Sequence, residues 1–175
     1  MTQNNLESVK SKSVLEMITV AYEFSLFIES AENYDKETVI SYLQKVCPLI
    51  YIKGALLPQV EVTDESAAER FVTEENWDGI FSMLKTKFGK DDEFLLVEDD
   101  IITGVKPTKA SLADNLTDVY QDLKDFVMLY QKNLTAAKEC AIRDCKVLFE
   151  KSWGAKLINA HQHIHQLSFA ETDEN

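Results

Sequence analysis

The sequence predicts an all-α protein, a single-domain bundle of about five helices with an acidic irregular connector between the third and fourth. Three observations carry that expectation. Apolar residues recur at helical spacing through nearly all of the 175 residues. Only 5 glycines and 3 prolines are present, too few for the tight turns of a β-rich chain. Capping residues also bracket the periodic stretches. A chain of this size needs no covalent staple, because a domain of ~150 residues buries roughly 70% of its unfolded surface. The domain is placed at residues 13–168, between a polar N-terminal tail (1–12) and an acidic C-terminal tail (169–175).

The first helix runs from Ser13 to about Ala31, with Val14, Ile18, Ala21, Ser25 and Ile28 on one side. Met17 and Phe24 flank one edge, and Leu15 and Tyr22 the other. Val20 and Phe27 add more apolar surface, which predicts a central position in the bundle. Asp35 caps a second helix reaching about Leu57, striped by Val39, Leu43, Val46, Ile50 and Leu57. Pro48 lies opposite that stripe, so a kink is expected there with the ring facing solvent. Residues 59–72 are polar and read as a loop.

Thr73 caps the third helix, with Glu74 and Glu75 at its dipole-favoured start and Gly89 at its end. Its buried face should hold Trp77, Ile80, Phe81, Leu84 and Phe88. The stretch KDDEFLLVEDDIITGVKP breaks the helical pattern and reads equally as a short hairpin or as a loop laid over the bundle. A fourth helix runs from about Ser111 to Lys132 on Leu112, Leu116, Val119, Leu123, Phe126 and Tyr130. The fifth, from about Thr135 to Leu167, carries Ile142, Cys145, Phe149, Trp153, Ala160, Ile164 and Leu167. Trp153 is expected in the core, with Gly154 permitting close helix packing beside it.

SLADNLTDVYQDL, followed some way on by LFEKSWGAKL, resembles a family of uncharacterised bacterial proteins of unknown function. The upstream LLP and the helix around Trp77 also fit, so the likeness extends from about residue 15 to 165. Trp153-Gly154 within a helix is its most specific element. The resemblance implies an all-helical fold and brings no catalytic residue with it.

Charge excludes several functions. Thirty acids against 18 bases give −12, a surface that repels phosphate backbones and anionic membranes alike. Neither nucleic acid nor a membrane is an expected partner. The polar N-terminus has no signal-like apolar run, and the 3 cysteines form no CxxC pair, so a cytoplasmic location with free thiols is expected.

All 3 histidines sit at 161, 163 and 165. His161 and His165 share a helix face, outward from the stripe, while His163 points elsewhere. Cys145 lies roughly 24 Å along the helix from them and cannot complete a zinc site. A solvated helix end is the expectation, because a positive imidazole suits the negative end of the dipole. Asp118, Asp122 and Asp125 have the spacing of a Mg²⁺ site of helical nucleotide pyrophosphatases. No opposing Glu-x-x-Glu helix completes it, Glu75 and Asp78 being a weak substitute, and a solvated face is expected instead. Cys145 belongs to the core stripe and Cys140 to a polar flank.

No catalytic set, metal site or cofactor is therefore expected. The functional expectation is a non-catalytic cytoplasmic module that binds another protein or peptide, its oligomeric state left open. The competing reading is a small metal-dependent hydrolase using Asp118, Asp122 and Asp125. The candidate interaction surface is Phe94, Leu95, Leu96, Val97, Ile101 and Ile102. Neighbours on an extended segment point to opposite sides, so some of this run must be left over from any one core.

Overall fold

The computed structural model describes residues 7–100 and 104–170. Helix α1 (Lys12–Glu29) is followed by α2 (Lys36–Ala55), the loop 56–73, and α3 (Glu74–Phe88). Strands β1 (Glu93–Asp100) and β2 (Gly104–Ser111) come next. Three helical segments follow: α4 (Leu112–Tyr130), α5 (Thr135–Leu148) and α6 (Gly154–Phe169). A π-helical turn at Phe149–Trp153 joins the last two, so the expected fifth helix is one rod with an interruption. Among the described residues the fold is mostly α, with one two-stranded sheet.

Local chemistry sets the helix ends. The Asp35 carboxylate accepts from the Thr38 amide at 2.7 Å, and Thr73 with Asn76 forms a reciprocal capping box. Gly89 ends α3 at φ 56°, a left-handed conformation that suits glycine. The Pro48 ring is exposed on α2, as its place opposite the stripe requires.

The connector between α3 and α4 is regular rather than irregular. Its strands pair antiparallel, with Glu93 opposite Ser111 and Val97 opposite Pro107. β-prone Phe94–Val97 signals the first strand, but GVKPTKAS is polar and contains a proline, so the second is hidden. Pro107 is tolerated because a two-stranded sheet has only edge strands. The buried Asp92 locks the base of the hairpin onto α4. Its carboxylate accepts from the Ala113 amide (2.8 Å) and the Ser111 hydroxyl (2.9 Å), and its carbonyl from the Leu112 amide (2.8 Å).

The central helix is α4, not α1. It packs against α1, α3, α5 and α6, and is buried on almost every side. On α1, Leu15, Tyr22 and Leu26 are exposed, and the stripe centres on Met17, Ala21 and Phe24 instead of Ile18. The reason is that α4 buries hydrogen-bonded polar groups, so its middle position does not appear as hydrophobicity. The peripheral α3 fully buries only Leu84 and Phe88, with Trp77, Ile80 and Phe81 half-buried. Val9, within the stretch read as a polar tail, is buried, and its carbonyl accepts from the Tyr130 hydroxyl at 2.9 Å.

The tightest packing is between α2 and the π turn. A Cβ on Gly54 would lie 2.5 Å from Trp153 Cη2 and 3.0 Å from Phe149 Cδ2. Trp153 is wholly buried there, its indole N–H donating to the Cys145 carbonyl at 3.0 Å. Gly154 serves a different purpose from the one expected. A Cβ at Gly154 would meet the Phe149 carbonyl oxygen at 2.4 Å, so this glycine accommodates the π turn itself.

Candidate functional site

The hairpin sorts its apolar residues by strand alternation. Phe94 turns inward and packs against the core, and Leu96 on the same face is half-buried. Leu95 and Val97 take the opposite face and are 64% and 65% exposed. Their cross-strand partners are Lys109 and Pro107, both exposed, and a Lys109–Glu93 ion pair (3.1 Å) borders the patch. Of the proposed surface, Leu95 and Val97 thus form an outward apolar pair. Phe94 is half-buried on the inward face, and Ile101 and Ile102 lie outside the described residues.

His163 has a role that the reading of a solvated helix end missed. Its ring stacks on Phe94 with centroids 4.7 Å apart and 14° between planes, and its Nε2–H donates to the Asp91 carbonyl at 2.8 Å. Asp91 in turn pairs with Lys36 at 2.7 Å, which holds its carboxyl below the usual range. The histidine therefore pins the hairpin to α6. His165 is exposed, as expected, whereas His161 is half-buried beside Cys47, Tyr51, Leu157 and Ile158. Burial, with His165 nearby, lowers the His161 pKa. A signal for His163 existed in the sequence, since its divergence from the other two directs it to another neighbour.

The carboxylates of α4 are not a solvated face. Asp122 and Asp125 are 8% and 4% exposed, and Arg70 bridges them at 3.1 and 3.0 Å. Asp125 also accepts from the Phe71 amide (2.7 Å) and the Val72 amide (2.9 Å). Asp118 is half-buried, accepts from the Trp77 indole N–H at 2.8 Å and pairs with Lys156. Helical geometry carried a warning, because Asp122 lies only about 60° around the helix from Val119. The partner that makes burial tolerable, Arg70, lies in a distant loop and leaves no periodic trace. Burial pushes the Asp122 carboxyl up, against the opposing pull of Arg70.

These contacts continue along the loop. The buried Glu139 accepts from the Thr63 amide (2.9 Å) and hydroxyl (2.6 Å), and Arg143 grips Glu65 through two nitrogens. The loop becomes a strap across α4 and α5. Beneath Glu69 and Arg70 it leaves a cavity of about 260 Å³, floored by Phe126, Leu129 and Leu148. Asp118, Asp122 and Asp125 are thus each engaged by protein donors. Among the described residues, no group of three or more His, Cys, Asp or Glu is placed to hold a metal ion.

All three cysteines are buried free thiols. Cys140 departs from the expected polar flank, being 0% exposed with its thiol against the Asp64 carbonyl at 3.5 Å. The strap covers it. Burial pushes the Cys47 thiol up to about 12 and raises those of Cys140 and Cys145, the opposite of what a nucleophile needs. Among the described residues, no helix is long and apolar enough to cross a membrane.

Comparison with known proteins agrees with this architecture. A family model described as Domain of unknown function (DUF5063) matches residues 8–170. The crystal structure of protein BF1032 from Bacteroides fragilis, a structural-genomics target, is similar over 96% of this chain and 99% of that one. Its TM-score is 0.84 and its sequence identity 29%. No curated protein matches the chain.

Proposed function

We propose that this chain, which belongs to the family described as Domain of unknown function (DUF5063), works as a non-catalytic module that binds another protein or peptide through its hairpin. The observation that supports this most is the outward pair Leu95 and Val97, 64% and 65% exposed on one face. The inward face of the same strand is already spent on the core through Phe94 and on His163. Apolar side chains side by side on a strand, rimmed by charge, have the composition of a recognition patch. The acidic residues Glu98, Asp99 and Asp100 follow directly in sequence. A partner should therefore bring apolar anchors with basic flanks, and its affinity should fall as salt screens the acids.

The test compares wild-type bait with Leu95→Ser/Val97→Ser in the native host. Both positions are exposed, so the variant should melt within about 0.5 kcal/mol per substitution of the wild type. A partner recovered by the wild type and identified by mass spectrometry should then be purified. Its Kd should weaken at least about tenfold, a loss of ~1.4 kcal/mol. Equal affinity for the double variant would remove the hairpin from the interface.

A further inference from the structure

A second surface has a distinct chemistry and shares no residue with the hairpin, so either reading can fail alone. Between α1 and α2 runs an open groove of about 750 Å³. Val20 and Val46, each 8% exposed, form its floor, and Leu15 (50%) and Leu49 (44%) stand on opposite lips. The contributing length of α1, from Lys12 to Glu23, is about 16 Å at ~1.5 Å per residue. That equals about three turns of a helix laid alongside.

Charge is what makes the groove unusual. The chain as a whole carries 30 acids against 18 bases, yet the groove is lined by three lysines and two glutamates. Lys10, Lys12 and Lys53 gather at one end, and Glu23 stands at the other. Glu16 is committed to Lys53 at 2.8 Å, with Lys12 at 3.8 Å. Lys53 holds the Glu16 carboxyl below its usual range. Lys12 remains 89% exposed, and Lys10 has no ion pair among the described residues. The surplus of positive charge sits beside the exposed leucines.

We infer that this groove binds an amphipathic helix of about three turns from another protein. Its apolar stripe lies over Val20 and Val46, and its acidic end meets Lys10, Lys12 and Lys53. A helix seated between two helices buries its i, i+3, i+4 and i+7 anchors on the floor and lips. Its carboxylates find the lysines, and its negative dipole end favours the same pole. Glu23 at the opposite pole repels the acidic end, which sets the direction of docking. A second copy of this chain is disfavoured by the mutual repulsion of two molecules at −12 each.

The probe is a synthetic amphipathic peptide of about 14 residues, with Leu at helical i, i+4 and i+7 spacing and Glu clustered in its last turn. A second peptide replaces those Glu by Lys. Fluorescence anisotropy against the full chain should give binding of the acidic peptide alone, weakening several-fold as salt is raised. Leu49→Asp, and separately Lys10→Glu/Lys12→Glu, should each weaken it at least tenfold with thermal melts unchanged. No binding of the acidic peptide, equal binding of the Lys peptide, or undiminished binding to either variant overturns the inference. So does sedimentation that shows a dimer dissociated by Leu49→Asp, because a second copy then covers the groove.

Discussion

Replacing Gly54 by alanine sets two known effects against each other. Alanine in place of glycine inside a helix ordinarily stabilises by up to about 1 kcal/mol, through backbone entropy and propensity. Here the new methyl would sit 2.5 Å from Trp153 Cη2 and 3.0 Å from Phe149 Cδ2. Trp153 is wholly buried and cannot swing away, so the contact must be relieved by shifting α2 from the π turn. Overpacking of this kind costs about 1–3 kcal/mol. Gly54 is near the C-terminal end of α2, where the propensity gain is small, so the net loss should be about 1–2 kcal/mol. At about 2–4 °C per kcal/mol for a chain of this size, the melting temperature should fall by about 2–8 °C. Gly79 is the internal control, exposed on α3 with nothing within 4 Å of an added Cβ. Gly79→Ala should raise stability by up to about 1 kcal/mol. Thermal and urea melts of both variants decide the matter, and a Gly54→Ala protein as stable as the wild type would refute the packing argument.

Trp153→Ala should cost about 3–5 kcal/mol in urea melts, since a fully buried indole leaves a cavity; a loss below about 1 kcal/mol would place the ring in solvent. Burial holds the Asp122 carboxyl above its ordinary range, so the folded protein keeps that proton longer than the unfolded chain. Its contribution to stability is complete below the ordinary carboxylate value and declines as pH rises through the raised one. Asp122→Asn removes the decline, so the variant should gain on the wild type from about pH 4 upward, and parallel stability–pH curves would contradict this. His161→Gln/His165→Gln should leave folding and metal content unchanged. Stoichiometric zinc or iron in untagged wild type, lost in the variant, would overturn that.

The helices were legible because most of them bury a continuous apolar stripe and carry their own caps. Asp35, Thr73 and Gly89 mark ends that the backbone obeys. What stayed hidden depends on partners far along the chain. Asp122 and Asp125 look like a wet face until Arg70 neutralises them, and that pairing also concealed the central place of α4. His163 looks like part of a polar helix end until Phe94 and Asp91 arrive beneath it. β2 could not be read from composition, since its backbone pairs with β1 while GVKPTKAS lacks the run of large apolar residues that marks β1. At the candidate surface, alternation foretold that some apolar residues would be left over. Only the register decided that they are Leu95 and Val97.

The junction between the hairpin and the bundle has a mechanical consequence. Strand β2 ends at Ser111, and Ser111 is also the N-cap of α4, so no slack residue separates strand from helix. Asp92 ties the other strand's base to the same helical turn. A load carried by the strands is therefore delivered at their base to the helix wedged among four neighbours rather than absorbed in a flexible joint. The hairpin behaves as a cantilever built into the wall, and its tilt is set before any partner arrives. Little ordering entropy then remains to be lost at its base on binding. Inserting two glycines between Ser111 and Leu112 would turn the cantilever into a pendulum without altering Leu95 or Val97, and under the proposed docking role this variant should bind its partner more weakly.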